Sequence, residues 1–175
     1  LNRIVEAKRR EMGSSGRSGR LQKPVDSEAS RPSLKEALQR DGLNIISEIK
    51  YRSPSHGPFR CRLSPGEIGR RYSKAGAAAI SVLTDEAFFG GSLQHLSDVF
   101  EALRFEDWDR EGEASVQPEP VPLLRKDFIL ESGQLEEARD AGASAFLLIV
   151  SCLDRGELEG LRTGGEELGM EALVE

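Results

Sequence analysis

Apolar positions along the chain follow two different periods. From residue 45 onward, short continuous apolar runs at 45–50 (IISEIK), 78–84 (AAISVLT), 122–129 (PLLRKDFI), 145–150 (AFLLIV) and 171–175 (EALVE) read as strands. Between them, helical spacing predicts helices over 64–76, 92–104, 132–142 and 154–169. Each helix opens on a residue suited to capping (Ser64, Ser92, Ser132, Asp154), and several close near a glycine. Repeated strand–helix units with continuously apolar strands predict a parallel sheet covered by helices. Gly164 and Gly165 each weaken the last helix by about 1 kcal/mol relative to alanine, so a break is expected there.

The first 44 residues lack this rhythm and form an N-terminal extension, with the βα region running from 45 to 175. Residues 1–12 (LNRIVEAKRREM) predict a short basic amphipathic helix with Ile4, Val5 and Ala7 on one side. The following GSSGRSGRLQKPVDSEASRPS reads as a flexible linker, and RPSLKEALQRDG carries a second short helical stretch. The basic cluster of Arg3, Lys8, Arg9, Arg10, Arg17, Arg20 and Lys23 could be a polyanion-binding arm or a solvated extension. No aromatic residues interleave with the charges as stacking platforms, which favours the solvated extension.

Composition narrows the class. The 175 residues are 38% hydrophobic and 31% charged, enough for one globular domain with a core. A net charge of −6 argues against broad binding to nucleic acid or acidic membrane. Cys61 and Cys152 match neither a disulfide framework nor a C-x-x-C metal spacing. No apolar run approaches the roughly 18 residues of a membrane span, and the first residues carry no signal-peptide apolar region. A cytoplasmic setting is expected.

Two architectures fit the rhythm: an open doubly wound sheet, or part of a (β/α)8 barrel. The turn after the first strand, YRSPSHGPFR, has neither G-x-G-x-x-G nor a P-loop pattern, which weakens the nucleotide-binding sheet. Polar residues instead gather near strand C-termini, where barrel enzymes keep their active sites: Glu48 and Lys50 on the first strand, Lys126 on the third, Glu175 on the fifth. Alternation puts Glu48 and Lys50 on one side, and separates Leu124, Lys126 and Phe128 from Arg125 and Asp127, which would face the helices. An inward Lys126 needs a carboxylate or an anionic ligand beside it. It is either a proton-transfer group or half of a structural ion pair.

The segments IISEIKYRSPSHG, GAAAISVLTDEAFFGGSLQHL, LLRKDFILESGQLEEARDAGASAFLLIV and LGMEALVE, in that order over 45–175, resemble the indole-3-glycerol phosphate synthase family. The N-terminal helices resemble that family's extension more weakly. The resemblance implies a (β/α)8 barrel converting 1-(2-carboxyphenylamino)-1-deoxyribulose 5-phosphate to indole-3-glycerol phosphate, with loss of carbon dioxide and water. It implies no metal and no organic cofactor. It further implies Lys126 as the principal general acid, Lys50 as a contact to the anionic substrate that assists ring closure, Glu48 as the group orienting the lysines, and Glu175 as the base of the dehydration. It places Phe89, Phe128 and Leu147 around the substrate's aromatic ring and Ser53 near the substrate. Arg52 is a second candidate cation for its anionic groups. His56 and His95 receive no role.

The chain departs from the family pattern in length. A closed barrel needs eight strands and about 250 residues, whereas five strands are predicted here, so a fragment of a longer protein is expected. The asparagine, the second glutamate and serine, and the phosphate-gripping glycine loops of the family would lie in the remainder. The acidic stretch FEDWDREGEASVQPEP (105–120) is longer than the family's usual link and reads as a solvated loop on the bottom face, with Trp108 engaged in local packing. Fusion to, or association with, other tryptophan-pathway enzymes is compatible with the resemblance. Two other readings remain: a different phosphate-handling barrel such as a phosphoribosyl isomerase, and a noncatalytic half-barrel acting as an assembly partner.

Overall fold

A computed structural model describes residues 2–14, 31–104 and 120–175. Most of the glycine- and serine-rich linker, with Arg17, Arg20 and Lys23, and the acidic stretch bearing Trp108 lie outside the described residues. The main sheet has five parallel strands in chain order: β1 (Ile46–Ile49), β4 (Ala79–Leu83), β5 (Leu123–Lys126), β6 (Ala145–Leu148) and β7 (Glu171–Val174). Each strand pairs with the next in sequence, the topology of successive βα units in a (β/α)8 barrel, and the five form an arc of such a barrel. Helices α3 (Pro65–Lys74), α5 (Leu93–Arg104), α6 (Gly133–Asp140) and α7 (Arg155–Glu167) connect them.

Register sorts the side chains into two layers. Parallel pairing aligns Glu48 with Ser81, Ser81 with Leu124, Leu124 with Ala145, and Leu83 with Lys126. This row and its alternates face the inner side. Ile80, Val82, Leu123, Phe146 and Leu148 face outward, where the helices bury them in the larger core. Burying one such side chain contributes about 1.5–3 kcal/mol, so this outer layer supplies most of the drive for assembly.

The inner layer is closed below and open above. Helix α2 (Leu34–Leu38) inserts Leu34 against Ala79, Leu124 and Ala145 at the N-terminal end of the strands. Ser33 caps α2 by accepting from the Glu36 N–H (3.1 Å) and donates to Glu171 Oε1 (2.6 Å), while Glu171 Oε2 accepts from the Lys35 N–H (2.8 Å). The first residue of β7 thus ties the extension to the barrel floor.

Several sequence expectations are corrected. The strands end one or more residues earlier than the apolar runs, because polar and loop backbone takes over at their C-terminal ends. Helix α7 runs unbroken through Gly164 and Gly165. Packing explains the glycine at 165, where a Cβ would overlap the Phe146 ring, so bare backbone lets the helix lie close on β6. Ser64 and Asp154 form full capping boxes, but Ser132 is already helical in backbone conformation and makes no side-chain cap bond. Two short elements escaped the pattern: a hairpin of β2 (Arg52–Ser53) with β3 (Gly57–Pro58), and a one-turn helix α4 (Glu86–Phe89) capped by Asp85, whose Oδ1 accepts from the Phe88 N–H at 2.8 Å.

The largest correction concerns the first helix, α1 (Asn2–Ser14). Lys8, read as part of a solvated cluster, is only 4% exposed and forms ion pairs with Asp127 (3.1 Å) and Asp85 (3.7 Å). Arg9 reaches Glu157 in the first turn of α7 at 4.0 Å. Those partners follow β5, β4 and β6, so α1 lies against the C-terminal rim of the arc while α2 closes the opposite end. Hydrophobic periodicity is blind to such docking because a charged residue carries the contact.

Candidate active site

Above the inner apolar layer, the C-terminal ends of the strands surround a cavity of about 480 Å³. Alternation from Ile46 and Leu124 at the floor carries Glu48, Lys50 and Lys126 into it, and the last residue of the fifth strand run adds Glu175. Lys50 Nζ donates to Glu48 Oε1 at 2.6 Å, joining two groups on one face of the same strand. Lys126 Nζ lies 3.5 Å from Glu175 Oε2, joining strands that flank β6. Each lysine is about one-third exposed, so each ammonium has both a carboxylate partner and access to a ligand.

One wall is apolar. Phe128 follows β5, Phe89 ends α4, and their ring centroids stand 6.4 Å apart with the planes 30° from parallel. Leu147 of β6 and Leu83 of β4 continue this wall. The loop carrying Phe89 is fixed by close backbone packing: the Gly91 N–H donates to the Asp85 carbonyl at 2.9 Å, and a Cβ on Gly91 would overlap the Leu83 carbonyl. Only glycine lets the chain turn back there.

A buried polar network lies behind the wall. Arg125 points away from the cavity into the helix layer, where its Nη2 meets Asp127 Oδ2 at 3.1 Å and its Nη1 meets Glu137 Oε2 at 3.4 Å and the Gln134 carbonyl of α6. Asp127 Oδ2 also accepts from the Thr84 hydroxyl (2.7 Å), and Oδ1 accepts from its neighbour's Phe128 N–H (2.8 Å). Burial pushes the Asp127 carboxyl upward, but the Arg125 and Lys8 cations with the Thr84 and Lys8 hydrogen bonds outweigh it and hold the group below its ordinary value. For Glu137 burial prevails over Arg125, and its carboxyl is raised.

Seven of the nine sequence-derived site residues line this one cavity: Glu48, Lys50, Phe89, Lys126, Phe128, Leu147 and Glu175. The structure does not bring Arg52 and Ser53 to its lining. The Arg52 guanidinium donates to the Ala87 carbonyl at 3.2 Å, tying the hairpin to α4, and Ser53 Oγ accepts from the His56 N–H at 3.2 Å within the turn. Sequence reasoning missed Asp85, Asp127 and Ser151 among the polar lining residues; Asp127, expected to face the helices, lies just past the end of β5 and borders both sides. Asp85 was legible as a cap two positions beyond Leu83, on the same face, whereas Ser151 sits in a short 3₁₀ turn (Val150–Cys152) with no local signature. Among the described residues, no three His, Cys, Asp or Glu side chains gather as a metal site, and no helix is long and apolar enough to cross a membrane.

Two ammonium–carboxylate pairs beside an aromatic wall at the C-terminal face of a βα arc match the arrangement expected from the sequence motifs. The family model for indole-3-glycerol phosphate synthase matches residues 1–175. The chain belongs to the indole-3-glycerol phosphate synthase family. Relatives with that name include a protein of Opitutus terrae, 43% identical over 180 residues that cover all of this chain and 64% of the relative. Another from Salinibacter ruber is 44% identical over 154 residues, 88% of this chain and 52% of the relative. A third, from Desulfotalea psychrophila, is 39% identical over 180 residues, all of this chain and 63% of the relative. The chain thus spans between about half and two-thirds of the length of these synthase-family relatives. It contributes the N-terminal helices and five βα-barrel strands.

Proposed function

We propose that the protein is an indole-3-glycerol phosphate synthase, a carboxy-lyase closing the indole ring of 1-(2-carboxyphenylamino)-1-deoxyribulose 5-phosphate in tryptophan biosynthesis. The observation that carries this reading is the convergence of Lys50, Lys126, Glu48 and Glu175 on one cavity faced by Phe89 and Phe128. Ring closure requires an acid to protonate the ketone oxygen as the aromatic carbon attacks it. The carboxylate then leaves as carbon dioxide and the new hydroxyl as water, so a proton donor and a proton acceptor must flank one held substrate.

In this reading Lys126 is the general acid. Its ammonium stands 3.5 Å from Glu175, and its partial exposure leaves it within reach of the ketone oxygen. Glu48 holds Lys50 through the 2.6 Å bond, directing a cation toward the substrate's carboxylate. Glu175 takes the proton released in the dehydration. The phenylalanine pair and Leu147 receive the aromatic ring, and the hairpin with Arg52 and Ser53 supports α4 from outside and borders the entering anion. Membership of the family and the free thiols Cys61 and Cys152 support a cytoplasmic setting. Association with other enzymes of the same pathway is compatible with it.

Incubation of the whole protein with the carboxyphenylamino sugar phosphate tests the reading. The expected result is equimolar carbon dioxide and an indole chromophore. Consumption of the anthranilate precursor without carbon dioxide would place the barrel among phosphoribosyl isomerases instead, and no turnover of either compound would leave only a noncatalytic role.

A further inference from the structure

Lys8 is the most deeply buried charged side chain of the described part of α1, and its burial demands a reason. Removing an ammonium from water costs several kcal/mol unless carboxylates replace the solvent. Two do: Asp127 at 3.1 Å and Asp85 at 3.7 Å, each with a side chain no more than 2% exposed. Arg9 also reaches Glu157 at 4.0 Å, but that pair is exposed and screened by solvent. Lys8 is the one buried side chain of the described part of α1, beside the half-buried Ile4, Val5 and Ala7.

The two carboxylates also anchor the two loops that build the aromatic wall. Asp85 Oδ1 accepts from the Phe88 N–H at 2.8 Å, next to Phe89, and Asp127 Oδ1 accepts from the Phe128 N–H at 2.8 Å. Asp127 also separates Lys126 from Phe128 in the chain. The ammonium of Lys8 thus spans two loops that come from different strands. Below that bridge the same loops are tied by the Thr84 N–H donating to the Lys126 carbonyl (3.1 Å), the Thr84 hydroxyl donating to Asp127 (2.7 Å) and Arg125 Nε donating to the Thr84 hydroxyl (3.2 Å), so the Lys8 bridge adds the tie at Asp85 itself.

We propose that Lys8 is a positioning residue for the synthase reaction: by bridging Asp85 and Asp127 it sets how Phe89 and Phe128 stand together in the wall that receives the substrate's aromatic ring. The inference rests on the function proposed above and adds to it a role for the N-terminal helix in substrate recognition. Its two partners line the cavity but carry no proton-transfer role in the proposed reaction. Its loss acts on binding of the ring more than on the chemical steps.

The test is steady-state kinetics of the whole protein carrying Lys8→Met, which keeps the chain length and removes the charge, beside Lys8→Arg and Asp85→Asn. Lys8→Met is expected to raise KM about tenfold while kcat falls less than about threefold, at a temperature where thermal melting shows the variant fully folded. Lys8→Arg should recover most of the KM, because a guanidinium can still bridge two carboxylates. Should Lys8→Met not fold, Asp85→Asn keeps the lysine paired with Asp127 and is expected to raise KM in the same direction. A KM within twofold of wild type in every folded variant, with only the melting temperature lowered, would overturn the proposal and leave Lys8 a structural anchor. Absence of turnover in the wild type would instead overturn the synthase reading on which it depends.

Discussion

Arg125 and Lys126 are consecutive in β5 and serve opposite layers of the protein. The pleat sends Arg125 outward, where its guanidinium meets Asp127 at 3.1 Å in a fully buried network, and Lys126 inward, where its ammonium stands 3.5 Å from Glu175 in the cavity. One strand thus carries side by side a cation buried in the helix layer and one that lines the cavity. Substitutions at the two positions should separate stability from activity.

At Lys126 the expected loss is catalytic. Lys126→Ala removes the proposed proton donor from a site where about one-third of the side chain is already solvated, so little burial is lost. kcat should fall about 10²- to 10⁴-fold, the usual contribution of general acid catalysis, with the melting temperature close to wild type. Retention of more than a tenth of wild-type kcat would remove Lys126 from the role of acid.

At Arg125 the expected loss is structural. Arg125→Met leaves the buried Asp127 and the half-buried Glu137 without their shared cation, and breaking one partner out of such a network costs about 3 to 5 kcal/mol. Urea unfolding is the direct measure. Arg125→Lys should recover only part of the loss, since one ammonium cannot reach Asp127, Glu137, Thr84 and the Gln134 carbonyl together.

Much of this division was legible in advance, because period-two alternation assigns Arg125 and Lys126 to opposite faces without any coordinates. The same rule brought Glu48 and Lys50 to the cavity. It failed at Asp127, which lies one residue beyond the last paired position of β5, so its carboxylate borders the cavity and the helix layer at once. It also failed at Lys8. Helical periodicity picks out Ile4, Val5 and Ala7, which are half-buried, but not the buried charge beside them, whose partners lie 77 and 119 positions away in sequence. Ser53 is expected near the substrate from the motif and Arg52 from its charge, but the hairpin that holds them follows from turn geometry that the apolar pattern does not encode.

The pH dependence of stability should report on Asp127. Its carboxyl is held below its ordinary value in the folded protein, chiefly because Arg125 and Lys8 outweigh the effect of burial. A group depressed in this way contributes stability that is complete above the unfolded value, near 3.9, and is lost as pH falls through the folded value. Glu137, raised chiefly by burial and in part by Asp127, acts with the opposite sign at somewhat higher pH, so the comparison is read below the range where it titrates. Unfolding free energies of wild type and Asp127→Asn should therefore differ most at neutral pH, and the gap should narrow as pH drops below about 4. A gap that stays constant down to pH 2 would mean that the charge on Asp127 is not what stabilises the network.

The adjacent glycines of α7 give a prediction whose sign changes within one residue. At Gly164 an added methyl would meet only Leu135 Cδ1 at 3.6 Å, an ordinary contact, and alanine favours the helix by up to about 1 kcal/mol. Gly164→Ala should raise the melting temperature. At Gly165 the same methyl would overlap the Phe146 ring, which is fully buried between β6 and the helix and has no room to retreat. Gly165→Ala should destabilise by about 1 to 3 kcal/mol, the usual range for overpacking a filled core, despite the identical gain in helix propensity. If α7 were broken at these glycines, both substitutions would act alike, so opposite shifts in the two melting curves test the unbroken helix and its close seat on β6 together.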